Sequence, residues 1–397
     1  MLRSMFAAIS GLRNHQIRMD VIGHNIANVN THGFKRSRVT FQEALSQTMQ
    51  GASRPGDGRG GTNPMQVGLG MNLGAIDTFH TQGSLESTGR PTDLAIDGAG
   101  YFILRGVGDS HYYTRAGAFG WDGNGTLVNG AGLIVQGQRY DPVTQEWALE
   151  ISDIRLFGED KQAPPRQTQE VTFTGNLAAD GSGYIRSITV YDVLGRAKTV
   201  TFSFTKDANN PNTWNWTATW GDSGEATGSI SFDDTGKYSS GNDDIEIDGQ
   251  TIHLDFSAIT QYAAEGESYL ELNQDGYAKG DLVEVFFDTG GVITGVYSNG
   301  ESRPLYRLVL ANFANPEGLN NLGNTLFSES NNSGPAQLGL AGQGSFGTIS
   351  PSSLEMSNVD LAQEFTDMII TQRGFQANSR IITTSDELLQ ELVNLKR

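Results

Sequence analysis

Cysteine is absent from the 397 residues, which excludes disulfides, thiolate metal sites and cysteine nucleophiles. The sequence also lacks any run of about 18 apolar residues, so it predicts no membrane-spanning helix. Its first 20 residues have neither the apolar core nor the cleavage site of a secretory signal peptide. We therefore expect a chain without membrane insertion that is cytoplasmic or is exported by a route that leaves its N-terminus uncleaved.

Positive charge is scarce, because 27 Lys and Arg stand against 45 Asp and Glu and give a formal net charge of −18. This balance argues against nucleic acid as a partner. The acidity is concentrated in residues 141–280, where 23 acidic and nine basic residues leave a balance of −14. We expect this region to be an exposed, soluble domain on the outside of a larger assembly.

The residue types and spacings of common catalytic sites are missing as well. The six histidines are scattered without paired metal-ligand spacing, and no GxSxG motif occurs. The glycines of residues 68–74 have the wrong spacing for a dinucleotide-binding turn, and residues 243–249 have the wrong ligand order for an EF-hand. The sequence thus predicts a protein that is not an enzyme and has no metal or cofactor site.

Helical patterning is confined to the two ends of the chain, residues 2–29 and 354–397. Counted as heptads, both stretches carry an apolar seam, which predicts a coiled-coil-like pairing with each other and with other copies. A single Gln near the middle of each seam, Gln16 or Gln372, is a candidate register marker. The predicted self-assembly seam comprises Leu2, Met5, Ile9, Leu12, Met19, Ile26, Leu361, Phe365, Met368, Phe375, Ile382, Leu389 and Val393.

The two ends also carry opposite charge. Residues 1–40 contain six basic residues and one acid, a balance of +5, whereas residues 354–397 contain seven acids and four bases, a balance of −3. Opposite balances favour pairing of the two helices, within or between chains. The last helix is expected to begin at Ser357 or Asn358, since either is a suitable N-cap.

Between the ends lie Gly-rich sequences with short alternating strands, so the fold class is mixed: paired terminal helices and two nested β-rich domains of barrel or sandwich type. We predict a helical domain from residues 1–30 with 354–397, a linker or extended arm over 31–70, a middle β domain from 71–150 with 276–353, and an inserted outer β domain over 151–275.

Trp214, Trp216 and Trp220 alternate along one predicted strand and should share one face. Alternating tryptophans most often pack in a core or between domains. A secreted sugar-binding β-sandwich that uses these three rings is the alternative interpretation.

Three stretches resemble the bacterial flagellar rod and hook proteins. Residues 27–35 (ANVNTHGFK) resemble the N-terminal signature of that family, residues 97–102 and 113–119 resemble its middle domain, and residues 358–380 resemble its C-terminal helix. The resemblance covers roughly residues 1–150 and 275–397. The residues that match the two terminal motifs are Asn28, Thr31, Gly33, Phe34, Lys35, Gln372, Arg373, Gln376 and Asn378.

Within this family, the hook proteins are favoured over the distal rod proteins. The length leaves room for a further β domain at about 150–275, which the shorter rod proteins lack. Residues 275–280 resemble the return of a hook protein into its middle domain, and residues 386–397 resemble a hook-type ending.

The resemblance implies a subunit that self-assembles into a curved, flexible tube, a universal joint between the motor's rod and the filament. Terminal helices would line its inside and β domains would stack outward. The implied partners are other copies of the chain, the distal rod protein, the hook cap protein, the hook–filament junction protein and the flagellar type III export apparatus. A distal rod protein, which would form a straight and stiff tube, is the alternative. The implied location is extracellular, in the hook and basal body.

Overall fold

The computed structural model describes residues 2–55, 60–156, 160–221, 224–241 and 244–395. Two long helices stand at the chain ends, α1 over Leu2–Ala27 and α2 over Leu361–Asn394. Between them the described residues form many short β-strands joined by turns and loops, with a 3₁₀ turn at Pro316–Gly318. The β-rich fold with terminal helices that the sequence predicts is therefore confirmed.

The strands are numbered in chain order, and the first thirteen are β1 Ser37–Glu43, β2 Ser46–Gln50, β3 Met65–Gly68, β4 Met71–Thr78, β5 Leu85–Ser87, β6 Leu94–Asp97, β7 Tyr101–Arg105, β8 His111–Thr114, β9 Phe119–Trp121, β10 Leu127–Asn129, β11 Ile134–Asp141, β12 Glu146–Trp147 and β13 Ser152–Asp153.

The next strands are β14 Gln162–Ala163, β15 Glu170–Asn176, β16 Gly183–Tyr191, β17 Ala197–Lys206, β18 Thr213–Trp220, β19 Gly224–Phe232, β20 Tyr238–Gly241, β21 Asp244–Ile247, β22 Gln250–Thr260, β23 Tyr269–Gln274 and β24 Gly280–Phe287. The remaining strands lead back to α2: β25 Val292–Tyr297, β26 Ser302–Asn312, β27 Asn320–Gly323, β28 Leu326–Ser328, β29 Gln337–Leu340, β30 Thr348–Pro351 and β31 Ser353–Glu355.

The chain divides into two compact units. The first unit comprises Met1–Arg155, Phe286–Thr294 and Pro304–Arg397, and the second comprises Leu156–Val285 and Gly295–Arg303. In the first unit, β7 pairs antiparallel with β8, β11 and β26, while the short ladders β6–β30 and β5–β31 tie the segment before β7 to the segment before α2. Tyr101, Tyr113 and Phe313 lie in the core beside this sheet.

The stretch expected to be a linker or extended arm contains an antiparallel ribbon. Strand β1 pairs with β4, and β2 pairs with β3. The ribbon is held against α1 by polar side chains, because Asn14 Nδ2 donates to Met71 O (2.8 Å) and Met71 N donates to Ser10 Oγ (3.2 Å). The sequence gives no sign of β2, because all five of its residues are exposed and no buried face marks it.

The second unit is a sandwich of two sheets. One sheet has the order β21-β22-β15-β23 and the other runs β16-β17-β18-β19-β20. Aromatic residues of both sheets meet in the core, where Phe173 lies 5.0 Å from Phe202 and Trp216 lies 6.2 Å from Phe256 between ring centroids. This packing explains why the strands alternate between apolar and polar residues.

The tryptophans of β18 belong to this core. Trp214 and Trp216 are 0% and 1% exposed, and Trp220 packs against the same cluster while half-buried. Trp214 and Trp216 lie too deep to stack on a sugar, so they are core residues and the sugar-binding interpretation loses two of its three rings.

Replacing Trp216 by Ala should destabilise the second unit by about 3–5 kcal/mol, because it removes a fully buried aromatic side chain. The matched control is Thr217→Ala, on the opposite face of the same strand, which should stay within about 0.5 kcal/mol of the parent. Urea unfolding followed by near-ultraviolet circular dichroism measures both. Equal losses for the two variants would contradict the core placement.

Candidate functional site: the paired chain ends

Helices α1 and α2 pack antiparallel along small and polar residues. Gly11 faces Asn378, and a Cβ on this glycine would lie 2.5 Å from Asn378 Nδ2. Gly374 faces His15 in the same way, with 2.9 Å between its would-be Cβ and the imidazole ring. Each helix thus supplies one glycine that receives a polar side chain from the other, and the backbones approach more closely than large apolar residues would allow.

Charged and amide groups continue this contact toward the end of α1. Arg18 forms a 2.9 Å ion pair with Asp367, and Asn25 Nδ2 donates to Glu364 Oε1 at 3.2 Å. Glu364 is 4% exposed, and burial raises the pKa of its carboxyl group. The opposite charges of the two chain ends therefore meet within one chain.

The contact does not follow the predicted apolar seams. It follows heptad positions one residue earlier on both helices, and these include Gly11, His15 and Arg18 on α1. Gln16 and Gln372, the candidate register markers, are both exposed. The heptads were counted along the largest apolar residues, whereas close approach selects the smallest ones, and this difference explains the shift.

The seam residues that the sequence predicts border this contact or point away from it. Exposed members on α2 are Leu361, Phe365, Phe375 and Val393, with exposed fractions of 40%, 50%, 37% and 67%. The half-buried members are Met5, Ile9, Leu12, Met19, Ile26, Met368, Ile382 and Leu389. The side chain of Leu2 lies outside the described part of the structure. Other large apolar residues on the helices are also exposed: Phe6, Ile369, Ile370, Ile381, Leu388 and Leu395.

The N-terminal motif closes α1 and turns the chain. Asn28 Nδ2 donates to His24 O at 2.9 Å, and Thr31 Oγ1 donates to Asn28 Oδ1 at 3.1 Å. Gly33 follows with φ = 70°, and its N–H donates to Glu355 O at 2.8 Å. Only glycine suits this position, because a Cβ would lie 2.6 Å from Ala116 N.

Lys35 of the same motif enters a buried ion cluster. Its ammonium lies 2.6 Å from Glu355 Oε1 and donates to Thr81 O at 2.8 Å, while Arg115 lies 3.5 Å from Glu355 Oε2. The side chains of Lys35, Glu355 and Arg115 are 1%, 0% and 4% exposed. Burial lowers the pKa of Lys35 despite the neighbouring carboxylate. The cluster joins the end of the motif, strand β31 and the segment after β8.

A histidine and a tyrosine extend the cluster. Tyr101 OH lies 2.7 Å from His80 Nδ1, and the Arg115 guanidinium lies 5.2 Å from the centre of the Tyr101 ring. Burial, together with the positive charges of Lys35 and Arg115, lowers the pKa of His80 to about 4. Burial raises the pKa of Tyr101 to about 12. Both side chains are therefore neutral near pH 7.

The start of α2 differs from the expectation. Asp360 is its N-cap and accepts hydrogen bonds from the backbone N–H groups of Ala362 (2.9 Å) and Gln363 (3.3 Å). Asn358 instead accepts from Arg36 N at 2.8 Å and donates to Phe79 O at 2.9 Å. Leu354 lies in β31, so the helix begins later than the sequence pattern suggested. Asn358 acts as a bridge between the two chain ends because its amide can donate and accept at once.

The residues of the C-terminal motif lie partly in the helix contact and partly at the exposed surface. Asn378 lies in the helix contact, whereas Gln372, Arg373 and Gln376 are exposed. Phe34 of the N-terminal motif is buried. Sequence reasoning missed Glu355, His80 and Thr81, because a lone polar residue in a strand or loop carries no spacing signal.

Clusters typical of chemistry were not found among the described residues. In those ranges, no group of three or more His, Asp or Glu side chains is placed to hold a metal ion. Neither of the two helices has, within its described residues, an apolar stretch that could cross a bilayer. The arrangement is suited to holding two chain ends together and to exposing apolar helix surface.

Gly33→Ala should destabilise the first unit by at least about 1–2 kcal/mol, because an L-residue is strained at this φ and its Cβ meets backbone. The matched control is Gly23→Ala in α1, where a Cβ has nothing within 4 Å. That variant should gain up to about 1 kcal/mol from helix propensity. Thermal unfolding of both variants measures the difference, and a tolerated Gly33→Ala would contradict the turn geometry.

The free energy of unfolding should fall as the pH decreases through the range between the unfolded and folded pKa values of His80. Its pKa is about 4 in the folded chain and about 6.5 when unfolded, so between these values the unfolded chain binds the extra proton. Folding free energy that is fully present above pH about 6.5 is lost toward pH 4, up to about 3 kcal/mol. His80→Gln should flatten this slope in urea titrations, whereas His111→Gln, at an exposed site, should leave it unchanged. A slope unaffected by His80→Gln would contradict the assignment.

Comparison with known proteins finds flagellar components along this chain. Family models match as "Flagella basal body rod protein" over residues 5–35, "Flagellar hook protein FlgE/F/G D1 domain" over 95–202, "Flagellar basal body protein FlaE D2 domain" over 159–277, and "Flagellar basal body rod FlgEFG protein C-terminal" over 350–395.

Full-length relatives carry the same names. The flagellar hook protein FlgE of Borreliella burgdorferi is 42% identical over 443 residues, and that of Treponema pallidum is 39% identical over 466, each covering 100% of both chains. The flagellar basal-body rod protein FlgG of Bacillus subtilis is 37% identical over 398 residues, also with 100% of both chains.

The fold also has a solved counterpart. The crystal structure of Helicobacter pylori flagellar hook protein FlgE2 superposes with a TM-score of 0.52 at 15% identity, covering 68% of this chain and 100% of that one. Because the identity is only 15%, this structural similarity shows a common fold alone. The relatives described above are structural flagellar proteins and not enzymes. On the strength of the full-length matches, this chain belongs to the family of flagellar hook proteins as a structural subunit.

Proposed function

We propose that the chain is the repeating subunit of a curved, bendable tube, and that α1 and α2 form its inner wall. The observation that carries this proposal is the apolar surface left exposed on the helix pair. On α2 alone, Phe365, Ile369 and Ile370 are 50%, 51% and 55% exposed, and Phe6 on α1 is 67% exposed. Exposed apolar surface on this scale is typical of protein interfaces.

The polar contact within the chain explains how this surface can serve assembly. Because α1 and α2 meet at glycine, amide and charged groups, several of their large apolar residues, such as Phe365 and Ile370, stay exposed in the single chain. Burying apolar surface between copies contributes about 25 cal/mol per Å². The seam residues predicted from the sequence are accordingly proposed as contacts between copies, on helices already paired by other residues.

We further propose how the chain is divided into domains. The helical domain comprises residues 1–30 with 354–397, the connecting arm 31–70, the middle β domain 71–150 with 276–353 and the inserted β domain 151–275. The ribbon of β1 to β4 supports the assignment of the arm, since it packs on α1 through Asn14 and Ser10.

As a hook subunit, the assembled chain would enclose the export channel and transmit torque from the rod to the filament as a universal joint. Its partners would be the distal rod protein, the hook cap protein and the hook–filament junction protein. It would reach the outside of the cell through the flagellar type III export apparatus without cleavage of a signal peptide. The basis for these partners is the family to which the chain belongs.

The assembled shape tests hook against rod. Electron microscopy of tubes formed by the full chain should reveal curved tubes whose curvature varies along their length. Straight and stiff tubes would favour the distal rod alternative, which the full-length rod relative keeps relevant.

Phe365→Asp combined with Phe375→Asp should abolish tube formation while leaving the monomer folded, because both rings are exposed in the single chain. Burying two charges in an apolar contact is strongly unfavourable. The control, Thr383→Asp, places the same charge at an exposed polar site of α2 and should assemble normally. Sedimentation and electron microscopy measure assembly, and normal tubes from the double variant would contradict the proposed contact.

A further inference from the structure

The two outer faces of the second unit's sandwich differ sharply in chemistry. On the outer side of the β16–β20 sheet, the outward-pointing residues of neighbouring strands lie opposite one another and form one surface, which we name the hydroxyl face. It includes Thr201, Thr217, Ser229 and Ser240. Thirteen of these outward residues are Ser or Thr, and one, Glu225 near an end of β19, is charged. A sheet face nearly free of charge is unusual in a region whose balance is −14 over residues 141–280.

The opposite face of the sandwich is acidic. The outward residues of β21, β22, β15 and β23 include five carboxylates: Glu170, Asp244, Glu246, Asp255 and Glu271. These four strands contain no Lys or Arg. We name this surface the acidic face. Two acidic faces would repel each other, whereas a neutral face of hydrogen-bond donors would not.

The centre of the hydroxyl face has unused hydrogen-bonding capacity. Among the described residues, the hydroxyls of Ser203, Thr217, Thr227 and Ser229 have no hydrogen-bond partner, although Thr201 pairs with Ser187 at 3.0 Å. A hydroxyl can donate and accept, whereas an ionised carboxylate only accepts. The two faces are therefore complementary in hydrogen bonding as well as in charge.

Their placement suits an open-ended assembly. The faces lie on opposite sides of one sandwich, so a copy that presents its hydroxyl face to one neighbour leaves its acidic face for the next. Contacts between two different patches generate helical filaments rather than closed pairs. A shallow groove of about 680 Å³, lined by Asn215, Thr217 and Ser229 among others, makes the hydroxyl face concave and able to receive projecting side chains.

We propose that, in the assembled tube, the hydroxyl face of one copy packs against the acidic face of the second unit of a neighbouring copy. This inference rests on the proposed function. Outward residues recur about every 6.6–7 Å along a strand, so a carboxylate displaced by one repeat meets another hydroxyl. The contact can therefore shift between equivalent arrangements, which gives a bending tube a replaceable contact.

Charge substitutions test both the surface and its partner. Thr217→Asp with Ser229→Asp should raise the critical concentration for assembly at low salt roughly threefold to tenfold, and Thr217→Lys with Ser229→Lys should lower it by a similar factor. Thr217→Asn with Ser229→Asn is the neutral control and should resemble the parent. High salt should shrink both effects, and near-ultraviolet circular dichroism checks the tryptophan core of each variant.

The outcomes separate the possible partners. Opposite effects of Asp and Lys support an acidic partner. Weakening by both charges would overturn the acidic face as partner, and no effect of either would overturn the hydroxyl face as a contact. A parent chain that forms no tubes at all would contradict the proposed function itself and this inference with it.

The cysteine-free chain allows a direct second test. A double variant with Thr217→Cys on the hydroxyl face and Thr251→Cys on the acidic face should give ladders of covalent oligomers when assembled tubes react with a short bismaleimide. Each single variant should give no covalent oligomers from its tubes, because in the proposed contact neither face meets a second copy of itself. Dimers from a single variant, or no ladder from the double variant, would contradict the proposed pairing.

Discussion

The close contact between α1 and α2 is the constraint on which the rest of the chain depends. Gly11 receives Asn378 and Gly374 receives His15, so at these points the two helices are joined by glycine and polar side chains. A pair of helices joined through apolar residues would have little apolar surface left for other contacts. Here several large apolar residues, among them Phe365, Ile369 and Ile370, stay exposed and form a surface suited to contact with a further protein.

The buried cluster of Lys35, Glu355 and Arg115 keeps the paired ends attached to the first β-rich unit. Its members come from segments far apart in sequence, and each is almost fully buried. A buried ion pair contributes little net stability compared with apolar packing, but removing one partner costs about 3–5 kcal/mol. We interpret the cluster as specifying a single arrangement of the chain ends, because any other arrangement would leave a buried charge without its partner. Asn358, just before α2, reinforces this arrangement by hydrogen bonds to Arg36 N and Phe79 O.

Much of the architecture can be predicted from the sequence. Periodicity places both terminal helices, alternation identifies Trp214 and Trp216 as residues of one buried face, and the complementary charges anticipate the pairing of the ends. The register of that pairing is not predictable in the same way, because counting apolar residues ignores glycine. Glu355 and His80 gain their roles from long-range contacts that no local pattern encodes. Strand β2 of the ribbon escaped detection because all of its residues are exposed.

Electron cryo-microscopy of the assembled tube, at a resolution that places side chains, tests the central claim most directly. The account predicts that Phe365, Ile369 and Phe375 are buried against neighbouring copies, while the contacts of Gly11 with Asn378 and of Gly374 with His15 stay as they are in the single chain. A tube in which those apolar residues face the channel, or in which α1 and α2 of one chain have separated, would contradict the account.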